Sequence, residues 1–348
     1  MPLIAADDLR DFTRRVLVGI GLDDPGAEAA AGCLVEANLR GVDSHGVLRL
    51  LQYSQSIAAG EVNPRPAVEV TRSVGPTALV LAGGGYGFVP SRMAMDLAIE
   101  LAGAHGIGLV GVRDSHHFGM AAYYAERASA RGLIGIVATN TGPVMAPPGV
   151  TRPIAGNNPI AFAVPRRPPA SPVVLDMALS GTAFGRIRLA AAEGRTIPLG
   201  WAHDASGEPT TDAAVALAAG LLAPMGGHKG YGLSLIVEVL TGVLTGSPFG
   251  SRSDAHRHRE GGVGHLFGAL RPDLFIERRV FEDSVEAFVG ELKHAPAQLG
   301  VEVLLPGEIE QRTRVERSLR GVPISVELAA QVDALARSLG LAVRLSDA

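Results

Sequence analysis

Apolar residues recur along this chain at two periods, and the change between them organises it. In DDPGAEAAAGCLVEANLRG the positions Ala27, Ala31, Leu34, Val35 and Asn38 fall on one helical face. Asp24 is the expected cap there, Pro25 the first helical position and Gly41 the stop. VDSHGVLRLLQYSQSIAAG predicts a second helix, capped by Asp43 or Ser44 and ending near Gly60. From about Arg65 the pattern alternates and turns β-rich, in AVEVTRSVGPTALVLAGGG. Helices follow at SRMAMDLAIELAGAHG and MAAYYAERASARG, and strands at IGLVGV, LIGIVATN, PIAFAVP and PVVLDMA. Later helices are read at ALSGTAFGRIRLAAAEG, EDSVEAFVGELKHA and SVELAAQVDALARSLG. The most apolar stretch, Gly230–Gly246, is short for a membrane span and carries Glu238, so it reads as a buried helix. Strands separated by helices give an α/β fold. Its expected division is a helical lobe from residues 1–70 and 300–348, and a mixed α/β lobe from 71–299.

Composition narrows the setting. The 348 residues are 47% hydrophobic and 19% charged, as in a folded globular protein of more than one lobe. A net charge of −4 argues against a nucleic-acid or acidic-membrane partner. The single cysteine, Cys33, forms no internal disulfide, and the acidic N-terminus does not look like a secretory signal. A soluble, cytoplasmic protein is expected.

Two phosphate motifs are incomplete. GIGLVG (106–111) spells G-x-G-x-x-G, but a helix ends there and a strand begins, the reverse of a dinucleotide-binding turn. GGHKGYG lacks the spacing of a P-loop, although Lys229 lies in a glycine turn before a long apolar helix, where a phosphate could approach. The alternative is a solvated lysine. No nucleophile elbow exists, and the neighbours Asp43, Ser44 and His45 cannot form a triad by themselves. His116 and His117 are adjacent, and His256 and His258 lie in a polar stretch, so no metal site is expected.

His45, Arg49 and Tyr53 are spaced i, i+4, i+8. On a helix starting near His45 they form one polar stripe, in which arginine could clamp a carboxylate; a solvent face is the competing reading. With a histidine that titrates near neutral pH and a lysine in a glycine turn, the parts suit hydride exchange between a 2-oxo acid and a 2-hydroxy acid.

At these residues the chain resembles the type-2 malate/L-lactate dehydrogenases, a family that includes ureidoglycolate, sulfolactate and Δ1-piperideine-2-carboxylate oxidoreductases. RGVDSHGVLRL, VRDSHHFGMAAYYAERA, GNNPIAFAVP, VVLDMALS, IPLGWAHDASGEPTTD and GGHKGYGLSLIVEVLTGVLTG occur in family order. The resemblance implies a non-Rossmann α/β fold, with a mixed-sheet cofactor lobe and a helical lobe carrying the substrate clamp. It also implies NAD or NADP, a small carboxylate substrate and a homodimer with its site near the subunit interface. It makes His117, directly before Phe-Gly, the proton-transferring residue, and leaves His116 behind the site or exposed. Ser44, His45, Arg49 and Tyr53 fall to the substrate. Thr141, Asn158, Pro159, Asp176, Met177 and Lys229 fall to the cofactor; capping the following helix is the alternative role of Asp176.

Two features depart from the family pattern: Arg271 in GALRPDLF, where an acid is usual, and the His-Arg run from His256 to Arg259. The substrate stays open among malate, lactate, sulfolactate, ureidoglycolate and a cyclic imino acid. A metal-dependent hydrolase using His45, His116 and His117 is the reading from a different class.

Overall fold

The computed structural model describes residues 1–147, 149–254 and 259–345; His256 and His258 therefore lie outside the described residues. Eleven α-helices are present among them: α1 (Ala6–Gly19), α2 (Asp24–Leu39), α3 (Arg49–Ala58), α4 (Phe88–His105), α5 (Ala121–Ser129), α6 (Phe184–Ala192), α7 (Ala213–Ala219), α8 (His228–Glu238), α9 (Arg278–His294), α10 (Glu308–Arg320) and α11 (Val326–Ser338). A mixed seven-stranded sheet comprises β1 (Glu69–Val74), β2 (Thr77–Leu81), β3 (Ile107–Ser115), β4 (Ile134–Thr139), β5 (Ile160–Val164), β6 (Val173–Met177) and β7 (Val263–Leu270). Their order is β1-β2-β3-β7-β4-β5-β6, and only β2 and β3 pair in parallel.

The apolar periods explain these elements. Leu9, Phe12, Val16 and Leu17 of α1 are buried with Leu34 and Val35 of α2, Leu50 and Tyr53 of α3, and Val332 and Ala336 of α11. Both ends of the chain thus share one apolar cluster. A second cluster lies between the sheet (Val80, Val112, Val137, Phe267) and the inner faces of α4 and α5 (Met95, Ala98, Tyr124, Ala125).

Several details differ from the sequence reading. The cap of α2 is Asp23, which accepts from Gly26 N at 2.9 Å, one residue before the expected Asp24. No helix starts at His45. Asp43–His45 form a single 3₁₀ turn, Gly46 is extended, and α3 begins at Arg49. The cause is Asn38, whose Nδ2 donates to Asp43 Oδ1 at 2.6 Å while its Oδ1 accepts from Val47 N at 2.9 Å. These bonds draw the 43–47 segment onto the end of α2 and consume the groups that would start a helix. Arg317 on α10 closes the same segment from the other side, reaching Asp43 Oδ1 at 2.8 Å.

The Gly230–Gly246 helix is not buried all round. Its polar residues Ser234, Glu238 and Thr241 face inward, and Leu235, Ile236, Val239 and Val243 face outward. The inward face is satisfied: Glu238 Oε1 accepts from Asn140 Nδ2 at 3.0 Å and Gly250 N at 2.8 Å, and Oε2 from Asn158 Nδ2 at 2.7 Å. Arg271 is accounted for by the turn after β7, where it grips Asp273 with two bonds of 2.9 and 2.7 Å.

Gly46 has no room for a side chain. A Cβ there would lie 2.2–2.4 Å from the Asn38 amide. Gly46→Ala should therefore cost about 1–3 kcal/mol, as overpacking does, and should release the Ser44–His45 turn. Thermal unfolding and substrate KM check this; an unchanged melting temperature together with an unchanged KM would show that the Asn38 pin is dispensable.

Candidate active site

The 3₁₀ turn, α3 and the turn from β3 into α5 meet at one place. Tyr53 Oη lies 2.7 Å from His117 Nδ1. The His45 and His117 rings stack with centroids 5.5 Å apart and planes at 22°. Ser44 Oγ is 3.0 Å from His45 Nδ1. Arg49 Nε donates to Ser44 O at 2.8 Å and its Nη1 to Gln52 Oε1 at 2.8 Å. The four substrate-side residues expected from the sequence thus gather around His117, although His45 arrives on a turn rather than on the helix of Arg49 and Tyr53. Two of the five Arg49 N–H donors are engaged within the chain, which leaves both Nη2 hydrogens and one Nη1 hydrogen for a carboxylate.

Hydrogen-bond roles follow from the partners. Gly119 N points at His117 Nδ1 from 3.2 Å, and an amide can only donate. The neutral His117 ring therefore keeps its lone pair on Nδ1 and its hydrogen on Nε2. Burial holds the Tyr53 phenol well above its ordinary range, so it stays an O–H group able to donate to that lone pair. When the ring gains a second proton, the same hydroxyl can turn and accept. His45 is different: burial, helped by the charge of Arg49, lowers its imidazole to about 4, so it is neutral near pH 7. His116 is fully buried, not exposed, and its ring lies edge-on to Tyr86.

Beside these residues is a cavity of about 320 Å³, lined by His45, Phe118, Met120, Pro159, Asp176 and Met177 among others. Asp176, the last residue but one of β6, opens onto the cavity, yet protein atoms crowd its other sides. Its Oδ2 accepts from Ala122 N at 2.7 Å, so it closes the first turn of α5 rather than a helix that follows it. Crowding outweighs that bond and lifts the carboxyl to about 6, with Glu310 and Glu126 pushing the same way and Arg40 opposing.

Sequence reading missed Arg40, Asn157, Pro306, Gly307 and Glu310, all in the cavity wall. Arg40 is already neutralised, with two bonds of 2.6 Å to Glu126 and one of 2.7 Å to Glu36. The Leu-Pro-Gly-Glu run before α10 was the available signal: Pro306 O accepts from Val174 N at 3.0 Å and extends the sheet edge. Of the expected cofactor residues, Pro159 and Met177 line the cavity. Thr141 sits one layer behind, its Oγ1 donating to Asn157 Oδ1 at 2.9 Å. Asn158 is fully buried and its amide is committed to Ser234, Glu238 and Thr141 N. Lys229 is exposed in the first turn of α8, outside the cavity wall. Its turn is tied to the residue after Ala178 of that wall, since Met225 N donates to Leu179 O at 2.9 Å. Among the described residues, no three His, Cys, Asp or Glu side chains are placed to hold a metal ion, and no helix is long and apolar enough to cross a membrane.

Asp176 and His45 give opposite pH signatures. The Asp176 carboxyl rises from 3.8 to about 6 on folding, so between those values the folded protein binds more protons than the unfolded chain and stability falls as pH rises. His45 drops from 6.5 to about 4, so its contribution is lost as pH falls through that window. Asp176→Asn keeps an oxygen for Ala122 N and removes one signature. The melting temperature of this variant relative to wild type should climb between about pH 4 and 6 and be flat above; a difference independent of pH would show that the carboxyl is not crowded.

With the geometry described, resemblance to known proteins can be placed on it. The malate/L-lactate dehydrogenase family model matches residues 4–333. The malate dehydrogenase of Pyrococcus abyssi is 36% identical over 347 residues, covering 97% of this chain and 95% of that protein. The (2R)-3-sulfolactate dehydrogenase (NADP(+)) of Chromohalobacter salexigens is 39% identical over 280 residues, 79% of this chain and 83% of that protein. The solved structure of sulfolactate dehydrogenase from Methanocaldococcus jannaschii superposes with a TM-score of 0.91 at 35% identity, covering 99% of each chain. The protein belongs to the malate/L-lactate dehydrogenase family.

Proposed function

We propose that the protein interconverts a small 2-oxo acid and the matching 2-hydroxy acid with NAD or NADP, using His117 as proton donor and acceptor. The observation that carries this reading is the Tyr53–His117 contact of 2.7 Å beside a cavity that also holds His45. In reduction the doubly protonated His117 gives its Nε2 proton to the carbonyl oxygen and keeps the Nδ1 hydrogen, which Tyr53 turns to accept; in oxidation the ring in that same Nδ1–H form takes the hydroxyl proton at Nε2. The Tyr53 hydroxyl, able to donate or accept at Nδ1, keeps that nitrogen hydrogen-bonded in both states. Arg49, through its remaining Nη hydrogens, binds the carboxylate, and Ser44 and His45 flank it as neutral hydrogen-bonding groups.

The residues present fit a nicotinamide cofactor. Gly119, Ala121, Ala122 and Ala178 give the cavity a face of small side chains suited to a planar ring, and Asp176 and Asn157 offer polar atoms at its edge. When bound, the cofactor supplies or takes up the hydride. Pro159 and Met177 would shape its pocket, Thr141 and Asn158 would hold the wall behind it, and Lys229 would supply a positive charge to its phosphates, beside Gly226 and Gly227, whose φ of +61° and +65° leave the backbone open.

The reading extends to a homodimer. Leu235 and Ile236 of α8 and Val239 and Val243 of the helical turn that continues it make an exposed apolar stripe, which a second copy would cover. The opposite face of α8 holds Asn158, next to the cavity wall, so an interface there lies about 10 Å from the site, one helix diameter. In this reading residues 1–70 and 300–348 carry the substrate clamp, and 71–299 the cofactor. The buried Cys33 thiol supports a reducing, cytoplasmic setting. A cyclic imino acid or ureidoglycolate would present the same carboxylate to Arg49.

Oxaloacetate, pyruvate, 3-sulfopyruvate and Δ1-piperideine-2-carboxylate tested with NADH and NADPH, followed at the nicotinamide absorbance band, test the activity and its substrate. Reduction of none of them would sink the proposal. His117→Ala should lower kcat by about 10²–10⁴-fold with cofactor affinity nearly intact, whereas His116→Ala should do much less; equal losses would reassign the proton. Ile236→Glu should shift a sedimenting dimer toward monomer, and a variant that sediments as wild type would clear α8 of the interface.

A further inference from the structure

One buried side chain next to the site has no direct part in that reaction. His265, on β7, is fully buried. Its Nδ1 lies 2.6 Å from Thr139 Oγ1 and its Nε2 2.9 Å from Ser115 Oγ. Its ring stacks flat on Phe118, with centroids 4.5 Å apart and planes at 6°. Ser115 and Thr139 are the last residues of β3 and β4, the strands on either side of β7. Ser115 leads into the His117 turn, and Thr139 leads into Asn140 and Thr141 of the cofactor-side wall.

Thr139 Oγ1 is also 2.9 Å from Asn140 O and 3.2 Å from Gly264 O, so its one hydrogen has three acceptors within reach and Nδ1 can face it as donor or as acceptor. On the other side the ring meets the Ser115 hydroxyl at Nε2 and the carbonyl of His116, which can only accept. One neutral imidazole thus bridges the two strand ends. Burial supports the neutral state by lowering its basicity to about 3. The space is tight: a Cβ on Gly87 would meet Phe118 Cβ at 2.6 Å and His265 Nε2 at 2.9 Å. Gly87 N in turn donates to His117 O at 3.1 Å, so the histidine turn is held between the Gly87 backbone and the His265–Phe118 stack.

We infer that His265 is a positioning residue that sets the proton-transfer turn and the cofactor-side loop relative to each other, by tying together the two strand ends from which they leave. This rests on the proposed role of His117 for its turnover arm, but not for its cofactor arm.

The test uses the full chain with four variants: His265→Phe, which keeps the stack and removes both hydrogen bonds; His265→Gln, which can restore at least one; Ser115→Ala; and Thr139→Val. NADH and NADPH dissociation constants are read by fluorescence, kcat and KM with the fastest 2-oxo acid of the panel, and folding by thermal unfolding. Ser115→Ala should lower kcat by about tenfold and leave cofactor affinity alone, while Thr139→Val should weaken cofactor by about tenfold and spare kcat, each the effect of one buried hydrogen bond. His265→Phe should do both, and His265→Gln should recover part of one. Should His265→Phe fail to fold, the two single-bond variants decide. Folded His265→Phe with wild-type kcat and cofactor affinity would overturn the inference, as would Ser115→Ala and Thr139→Val that change only the melting temperature. His117→Ala with full turnover in the same assay would instead sink the reaction reading, leaving the cofactor arm to judge His265.

Discussion

The hydrogen bond between Tyr53 and His117 joins parts of the chain with separate cores. Tyr53 belongs to the cluster built from both chain ends, and His117 to a turn leaving the central sheet. For the two atoms to meet at 2.7 Å, the packing of α3 against Tyr86 and Phe88 and the exit angle of β3 must agree. Such a bond contributes only about 1 kcal/mol net, but leaving the buried phenol without a partner would cost about 1–3 kcal/mol. The contact is therefore a constraint on everything around it. A shift of either body that broke it would be opposed by the desolvated hydroxyl.

Charge at the cavity is managed mainly by pairing. Arg40 is answered by Glu126 and Glu36, and Arg314 adds a further bond of 2.7 Å to Glu36. His45 is kept neutral, and Asp176 is held near the point where it changes charge. Among the residues grouped on the substrate side, Arg49 is then the cation whose partners, a carbonyl oxygen and an amide, leave its charge uncompensated.

Much of this was legible in the sequence. The strands around Ile107, Ile134, Ile160 and Val173 and the helices around Met95 and Tyr124 follow from apolar period and turn residues, because burial on one face dictates both. The motif residues Ser44, His45, Arg49, Tyr53 and His117 could be grouped for the same site. What stayed hidden depended on contacts distant in sequence. β7 is a glycine-punctuated apolar run without alternation, since it is buried on both faces at the centre of the sheet. α10 buries no residue, so no periodic stripe marks it. The turn at Asp43–His45 is imposed by Asn38 and Arg317, and local propensity alone favoured a helix there. Asn158 matched a motif, but its amide turned out to serve a network that only the folded chain assembles.

The inside-out polarity of α8 carries a consequence for how precisely the helix is seated. A helix held by a smooth apolar face could slide or rotate by a fraction of a turn at little cost, since one methyl contact replaces another. Glu238 accepts three hydrogen bonds from fixed backbone and amide donors, and Ser234 adds another through Asn158. Displacing α8 by one residue would strand a buried carboxylate, which is far more costly than any lost apolar contact. The polar side of the helix thus works as an index pin, fixing its rotation and height while its apolar side is free to be shaped by whatever it meets.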